Sequence, residues 1–216
     1  MKKTTIILSA LILLFFVNNS FADETKEVEI FVNELGNKIV AVVGNNKIKL
    51  NQKREILVNI IDEVVDTKWI AKFVLGKYYK TITAEQKEKF AMLYHDFMVN
   101  TYSPKFTGYN GEKFSITSIN KDENYYTAKC IFYPSDNAPN MNFDFRIRKN
   151  TNGIKPKFLV FDILAEGVSL IETQRSEFGS VIAKDGLEKL MADLQVKTND
   201  IKTQNFKSKT VKSKAQ

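Results

Sequence analysis

Few residues in this chain are of a type that could do covalent chemistry. It holds one histidine, His95, and one cysteine, Cys130. A zinc site, a cysteine nucleophile with its base or a Ser-His-Asp triad therefore lacks the donors it needs. His95 falls beside the stripe of Phe90, Leu93, Tyr94 and Phe97 and is expected at the surface. Cys130 alternates with Ala128 and Phe132 and reads as a small apolar core residue. The glycine-rich loops of nucleotide sites and the G-x-S-x-G elbow of hydrolases do not occur. One carboxylate stands out. Strand alternation puts Asp162 on a face with Phe158, Val160 and Leu164, and an acid among apolar groups has its pKa raised toward values useful in acid–base catalysis. A buried Asp needs partners, so the competing reading is structural: Asp162 bonds backbone amides or an arginine such as Arg175 and pins strand to helix.

Asp162 lies in the most strongly punctuated stretch of the chain, Lys157 to Gly186. Phe158 to Ala165 reads as a strand covered on both faces. Gly167 breaks it. Ser169 and Glu172 form an S-x-x-E capping box that starts a helix with Leu170, Gln174, Phe178, Val181 and Ile182 at helical spacing, ended by Gly186. Upstream, the pattern is helical. Val28, Phe31, Val32, Leu35, Ile39 and Val42 form one stripe; Leu57, Ile60, Ile61 and Val64 form a second behind the possible cap Asn51. Trp69, Ile70, Phe73, Val74 and Tyr78 form a third, in which Gly76 either ends the helix or admits another element. Thr83 and Gln86 open a helix lined by Phe90, Leu93, Tyr94, Phe97, Met98 and Tyr102, which must stop before Pro104.

The period then changes to two, with strands expected over Phe114–Asn120, Tyr125–Tyr133, Met141–Lys149 and Phe158–Ala165, joined by short polar turns that suit antiparallel neighbours. Met141, Phe143, Phe145 and Ile147 point one way and Asn142, Asp144, Arg146 and Arg148 the other, so part of one face is wet. Two closing helices follow, the last with Leu187, Leu190, Met191 and Leu194. The fold class is α+β: an N-terminal helical layer packed on a curved four-stranded antiparallel sheet, with C-terminal helices. Such a sheet, facing helices rich in aromatic, Leu, Val and Met residues, either packs solid or encloses a cavity for an apolar ligand. Periodicity is the same in both cases.

Residues 1–22 read as a cleaved export signal, with Lys2 and Lys3, an apolar run from Ile6 to Val17, and small residues before a cut after Ala22. The apolar run is shorter than the about 20 residues of a spanning helix. The net charge is +7, but two of those charges sit in the signal and five in Lys197–Gln216. Residues 23–196, expected as a single domain, are therefore neutral, and a nucleic-acid partner is not indicated. The lysine-rich tail from Lys197 has little apolar content and is expected to be disordered.

The segments FVLGKYYKTITAEQKEKFAMLYHDFMVNTY (Phe73 to Tyr102), MNFDFRIRKN (Met141 to Asn150) and FDILAEGVSLIETQRSEFGSVIAKDG (Phe161 to Gly186) resemble the MlaC family, also called the toluene-tolerance family. LGKYY before a T-x-x-Q helix start and the FD...EGVSLI...R..F run are the most specific pieces. The resemblance implies an NTF2-like cone and a non-enzymatic, monomeric phospholipid carrier of the periplasm with no cofactor. Its cargo would be glycerophospholipid, exchanged between an outer-membrane lipoprotein–porin complex and an inner-membrane ABC transporter bearing an MCE-domain ring, so maintaining outer-membrane lipid asymmetry. On that basis acyl chains are expected between Met141, Phe143, Phe145, Ile147 and Val160 on the sheet and Tyr94, Phe97 and Met98 on the helix, with Val168 at the entrance. Two alternatives stay open: an NTF2-like periplasmic enzyme using Asp162 as acid or base, and an interaction domain that binds no small ligand.

Overall fold

The computed structural model describes residues 19–45, 47–103, 113–133, 139–151, 153 and 156–213. The first eighteen residues of the expected export signal lie outside that range. Helix α1, Asn19–Val43, begins within its last four residues. Val28, Val32, Leu35, Val42 and Val43 bury one side of α1 against a five-stranded antiparallel sheet in the order β1 (Lys113–Lys121), β2 (Tyr126–Tyr133), β3 (Met141–Lys149), β4 (Phe158–Ala165) and β5 (Val168–Ser169). Gly36 permits the close approach, since a β-carbon there would stand 2.7 Å from the Phe114 ring. The sheet has one strand more than the four expected. β5 is two residues long and is joined to β4 by Glu166 and Gly167, both at positive φ, as a two-residue hairpin turn requires. Glu166 holds that turn by accepting from Asn142 N at 2.7 Å and Asn142 Nδ2 at 3.0 Å.

α2 (Leu50–Val64) is capped at Lys49, whose N–H donates to Gln52 Oε1 at 3.2 Å; Asn51, the expected cap, lies inside the helix. Lys53, buried, donates to the carbonyl of Val43 and so meets the negative end of α1. α3 (Thr67–Leu75) starts at Asp66, which accepts from Trp69 N at 3.0 Å, and ends at Gly76. A 3-10 turn over Gly76–Lys80 leads to α4 (Ala84–Tyr102), which carries the expected box: Gln86 N donates to Thr83 Oγ1 and Thr83 N to Gln86 Oε1, both at 3.1 Å. α5 (Leu170–Asp185) is capped by Ser169 and closed at Gly186. The second half of its expected box does not form, because Glu172 turns to Arg146, 3.0 Å away.

α6 runs over Leu187–Ser213, through the segment expected to be disordered. Its continuation is tied to α4: Thr198 is buried, Lys202 pairs with Asp96 at 3.0 Å, and Lys197 lies over the Phe97 ring. A helix already nucleated extends at little cost even where the sequence is polar.

Two cores result. The first lies between α1, α2 and the sheet face of Tyr126, Ala128, Cys130, Ile147, Phe158 and Val160. The second is built by α3, α4, α5 and α6 around Phe90, Tyr94, Phe97, Phe178, Leu190 and Leu194, and takes Phe161 from β4. The strand serves both cores because successive residues face opposite ways, Val160 into the first and Phe161 into the second, and it also bulges. Arg146 pairs with Asp162 and Ile147 with Val160, which leaves Phe161 without a partner on β3.

Candidate functional site

The bulge decides where Asp162 goes. Simple alternation puts it with Val160, but the extra residue turns it to the opposite face, beside Arg146, while Ile163 joins the first core. Asp162 is 2 % exposed and its carboxylate is fully engaged. Ser169 Oγ donates to it at 2.7 Å, Ile163 N at 2.8 Å, and Ile171 N and Arg146 Nη1 at 3.3 Å each. Burial pushes its pKa up, and Ser169, the amides and Arg146 oppose that rise. The arginine is therefore Arg146, not Arg175, and Asp162 ties β4 and β3 to the first turn of α5. His95 is paired with Asp62 at 2.6 Å, partly exposed. Burial raises the Cys130 thiol to about 12, so it stays protonated and unreactive. Among the described residues no group of acids, His or Cys could hold a metal ion.

The expected lipid-facing residues divide between the two cores. Tyr94 is fully buried in the second, stacked on Phe90 with ring centroids 5.9 Å apart, edge-on to Phe178 at 6.2 Å, and donating its hydroxyl to Gln174 Oε1. Burial keeps that phenol protonated. Phe97 is buried and Met98 partly buried in the same core. None of the three shares a surface with the sheet residues named alongside them. The reason is that α4 packs on α3 and α6, whereas α1 and α2 occupy the sheet face.

The sheet residues do come together, on a face that is sealed at one end and open at the other. Ile147 is 0 % and Val160 3 % exposed, under α1 and α2. Phe145 and Phe143 are half-buried, and Met141 is 41 % exposed. Ile116, Cys130, Phe143, Ala165 and Val168 are successive cross-strand partners, so Val168 ends the row that contains Phe143. It is 59 % exposed. Phe132 lies between Phe114 and Phe143, each 5.3 Å away by ring centroid. Phe114 and Ile116, partly buried against the first core, and the half-buried Phe132 continue the same face. The alternation of β1 and β2 carries that signal, since Phe114, Ile116, Cys130 and Phe132 fall on one face.

The MlaC protein family profile matches residues 33–196. The chain belongs to the MlaC family. It is 25% identical over 202 residues to the intermembrane phospholipid transport system binding protein MlaC of Haemophilus influenzae, covering 90% of this chain and 92% of that protein. Its fold is that of the phospholipid-binding protein of Ralstonia solanacearum, solved in complex with a phospholipid, with a TM-score of 0.68, 18% identity and coverage of 80% of this chain and 97% of that one. This MlaC family member thus has the α+β fold expected from its sequence, with the fifth strand added. Among its described residues no helix is long and apolar enough to cross a membrane.

Proposed function

We propose that this MlaC family member is a phospholipid carrier, and that its cargo lies against the open end of the first core. The observation that carries the reading is the graded sheet face, in which the phenylalanines Phe114, Phe132 and Phe143 lie in a row beyond the sealed Ile147 and Val160. The names of the Haemophilus relative and the Ralstonia structure support the same cargo. Shielding is the physical task. At ~0.8 kcal/mol per methylene, two acyl chains of about thirty methylenes gain on the order of 25 kcal/mol by leaving water, so a carrier that sheltered them only partly would leave its lipid in the membrane.

In this reading acyl chains contact Met141, Phe143, Phe145 and the surface beside Ile147 and Val160, the headgroup stays near Val168, and α1 and α2 move relative to the sheet as lipid enters. The place of work is the periplasm, after removal of residues 1–22, with exchange between an outer-membrane lipoprotein–porin complex and an inner-membrane MCE-domain transporter. An acid–base role for Asp162 has no such support, because Ser169, Arg146 and two amides take up its oxygens. Organic extraction of the purified protein followed by mass spectrometry tests the reading. Near-stoichiometric diacyl phospholipid is expected; protein from a lipid-rich periplasm that carries none overturns it.

A further inference from the structure

A second surface feature lies among the helices of the second core, away from the open sheet face. At the corner where α3 ends and the 3-10 turn begins, a cavity of about 220 Å³ has walls of Trp69, Phe73 and Tyr79 and a rim of Lys72, Lys80 and Arg175. No carboxylate lines it. The segment Thr67–Thr83 carries four lysines and no acid. Lys72, Lys80 and Arg175 form no ion pair or hydrogen bond among the described residues, and each of them is exposed.

Arg175 is nevertheless held in place. Its guanidinium lies 4.7 Å from the centroid of Phe73, and a β-carbon at Gly76, where φ is +55°, would stand 3.2 Å from its Nε and Nη2. The guanidinium is therefore fixed between an aromatic face and bare backbone, with its donors unspent. Lys72 and Lys87 both lie over Tyr79, at 5.6 and 4.8 Å from its centroid, and add to the positive charge of this corner. A planar fork with lysines beside it matches the oxygens of a phosphate. Trp and Tyr among lysines are also the side chains that settle at the headgroup level of a bilayer.

We propose that this pocket binds the phosphate of an anionic phospholipid at a bilayer surface and so seats the carrier on the membrane, apart from its cargo. Free phosphate offers the same chemistry, so the test separates the two sources. The purified chain is floated with phosphatidylcholine vesicles made with and without phosphatidylglycerol, while the emission of Trp69, the only tryptophan, is followed. Wild type should float with the phosphatidylglycerol vesicles alone, and its emission should shift to the blue. Lys72→Gln, Lys80→Gln and Arg175→Gln should each weaken the partition about fivefold, and together roughly a hundredfold, with extracted cargo unchanged. Lys47→Gln, Lys113→Gln and Lys129→Gln combined remove the same charge from exposed positions outside the pocket and should bind as wild type does. Equal binding to neutral vesicles, a pocket variant that floats like wild type, or a control that loses as much binding as the pocket variant overturns the proposal. So does a Trp69 response that saturates with inorganic phosphate while the vesicles stay unbound, which assigns the pocket to free phosphate. Loss of cargo together with flotation in the pocket variant overturns its independence from carriage.

Discussion

Around Phe90, Tyr94 and Phe178 the helical core is closed on every side, whereas the sheet core closes around Ile147 and Val160 and thins toward Met141 and Val168. Both are made of aromatic and branched side chains, so composition does not separate them. What separates them is coverage. Four helices surround the second core, while among the described residues α1 and α2 are the helices that cover the broad face of the sheet. The sealed core holds the domain together, and the unsealed one leaves apolar surface exposed that a structural role would bury.

That contrast is open to direct attack, and the largest effect should come from the sealed side. Phe90→Ala empties a fully buried site in contact with Tyr94 and Phe178, and should cost about 3–5 kcal/mol in urea unfolding, whereas the half-buried Phe143→Ala should cost about 1 kcal/mol and lower the amount of lipid extracted. Next is the seam between the cores. Asp162→Ala strands Ser169, two amides and Arg146 and should cost about 3 kcal/mol; Asp162→Asn should cost less and leave bound lipid unchanged, which a cargo-contacting acid would not allow. The start of α1 gives a smaller, pH-dependent effect. Glu24 bonds Lys149, Tyr126 and Lys121, and those partners hold its pKa down to about 2 from an ordinary 4.5. A carboxylate depressed in the folded state contributes its stability above the unfolded value. The tie of α1 to the sheet should therefore be intact above pH 4.5 and weaken as pH falls from there toward 2. Amide exchange along α1 reads this, and Glu24→Gln should remove the pH dependence. The smallest effect on stability belongs to Val168→Glu, within about 0.5 kcal/mol at an exposed site, with lipid retention impaired because a charge is placed beside Phe143's row; normal retention defeats the placement.

Much of this architecture was legible because local signals carry it. Thr83 with Gln86 starts α4, Ser169 starts α5, and the alternation of Met141 through Arg148 gives β3 and its open face. The misplacements all come from register and long-range contact. No glycine or proline marks the bulge at Phe161, which exists only relative to β3, yet it turns Asp162 away from Val160 to the face that Phe161 already occupies. Glu172 completes a capping box by spacing, but a neighbouring Arg146 outcompetes the backbone for it. Tyr94 and Phe97 have the spacing of a helix face, and spacing does not say which of two cores that face enters. Beyond Lys197 a polar sequence reads as disordered because its ties, to Asp96 and Phe97, lie about a hundred residues away.

The claim most in need of testing is that cargo occupies the unsealed core and not the sealed one. A phospholipid bearing a diazirine in its acyl chain, loaded into the purified protein and photolysed, reports that location once the labelled peptides are sequenced by mass spectrometry. Labels on Phe114, Phe132, Met141, Phe143 and Phe145 are the result predicted here; labels on Tyr94, Phe97 and Met98, with the sheet face unmarked, would contradict it.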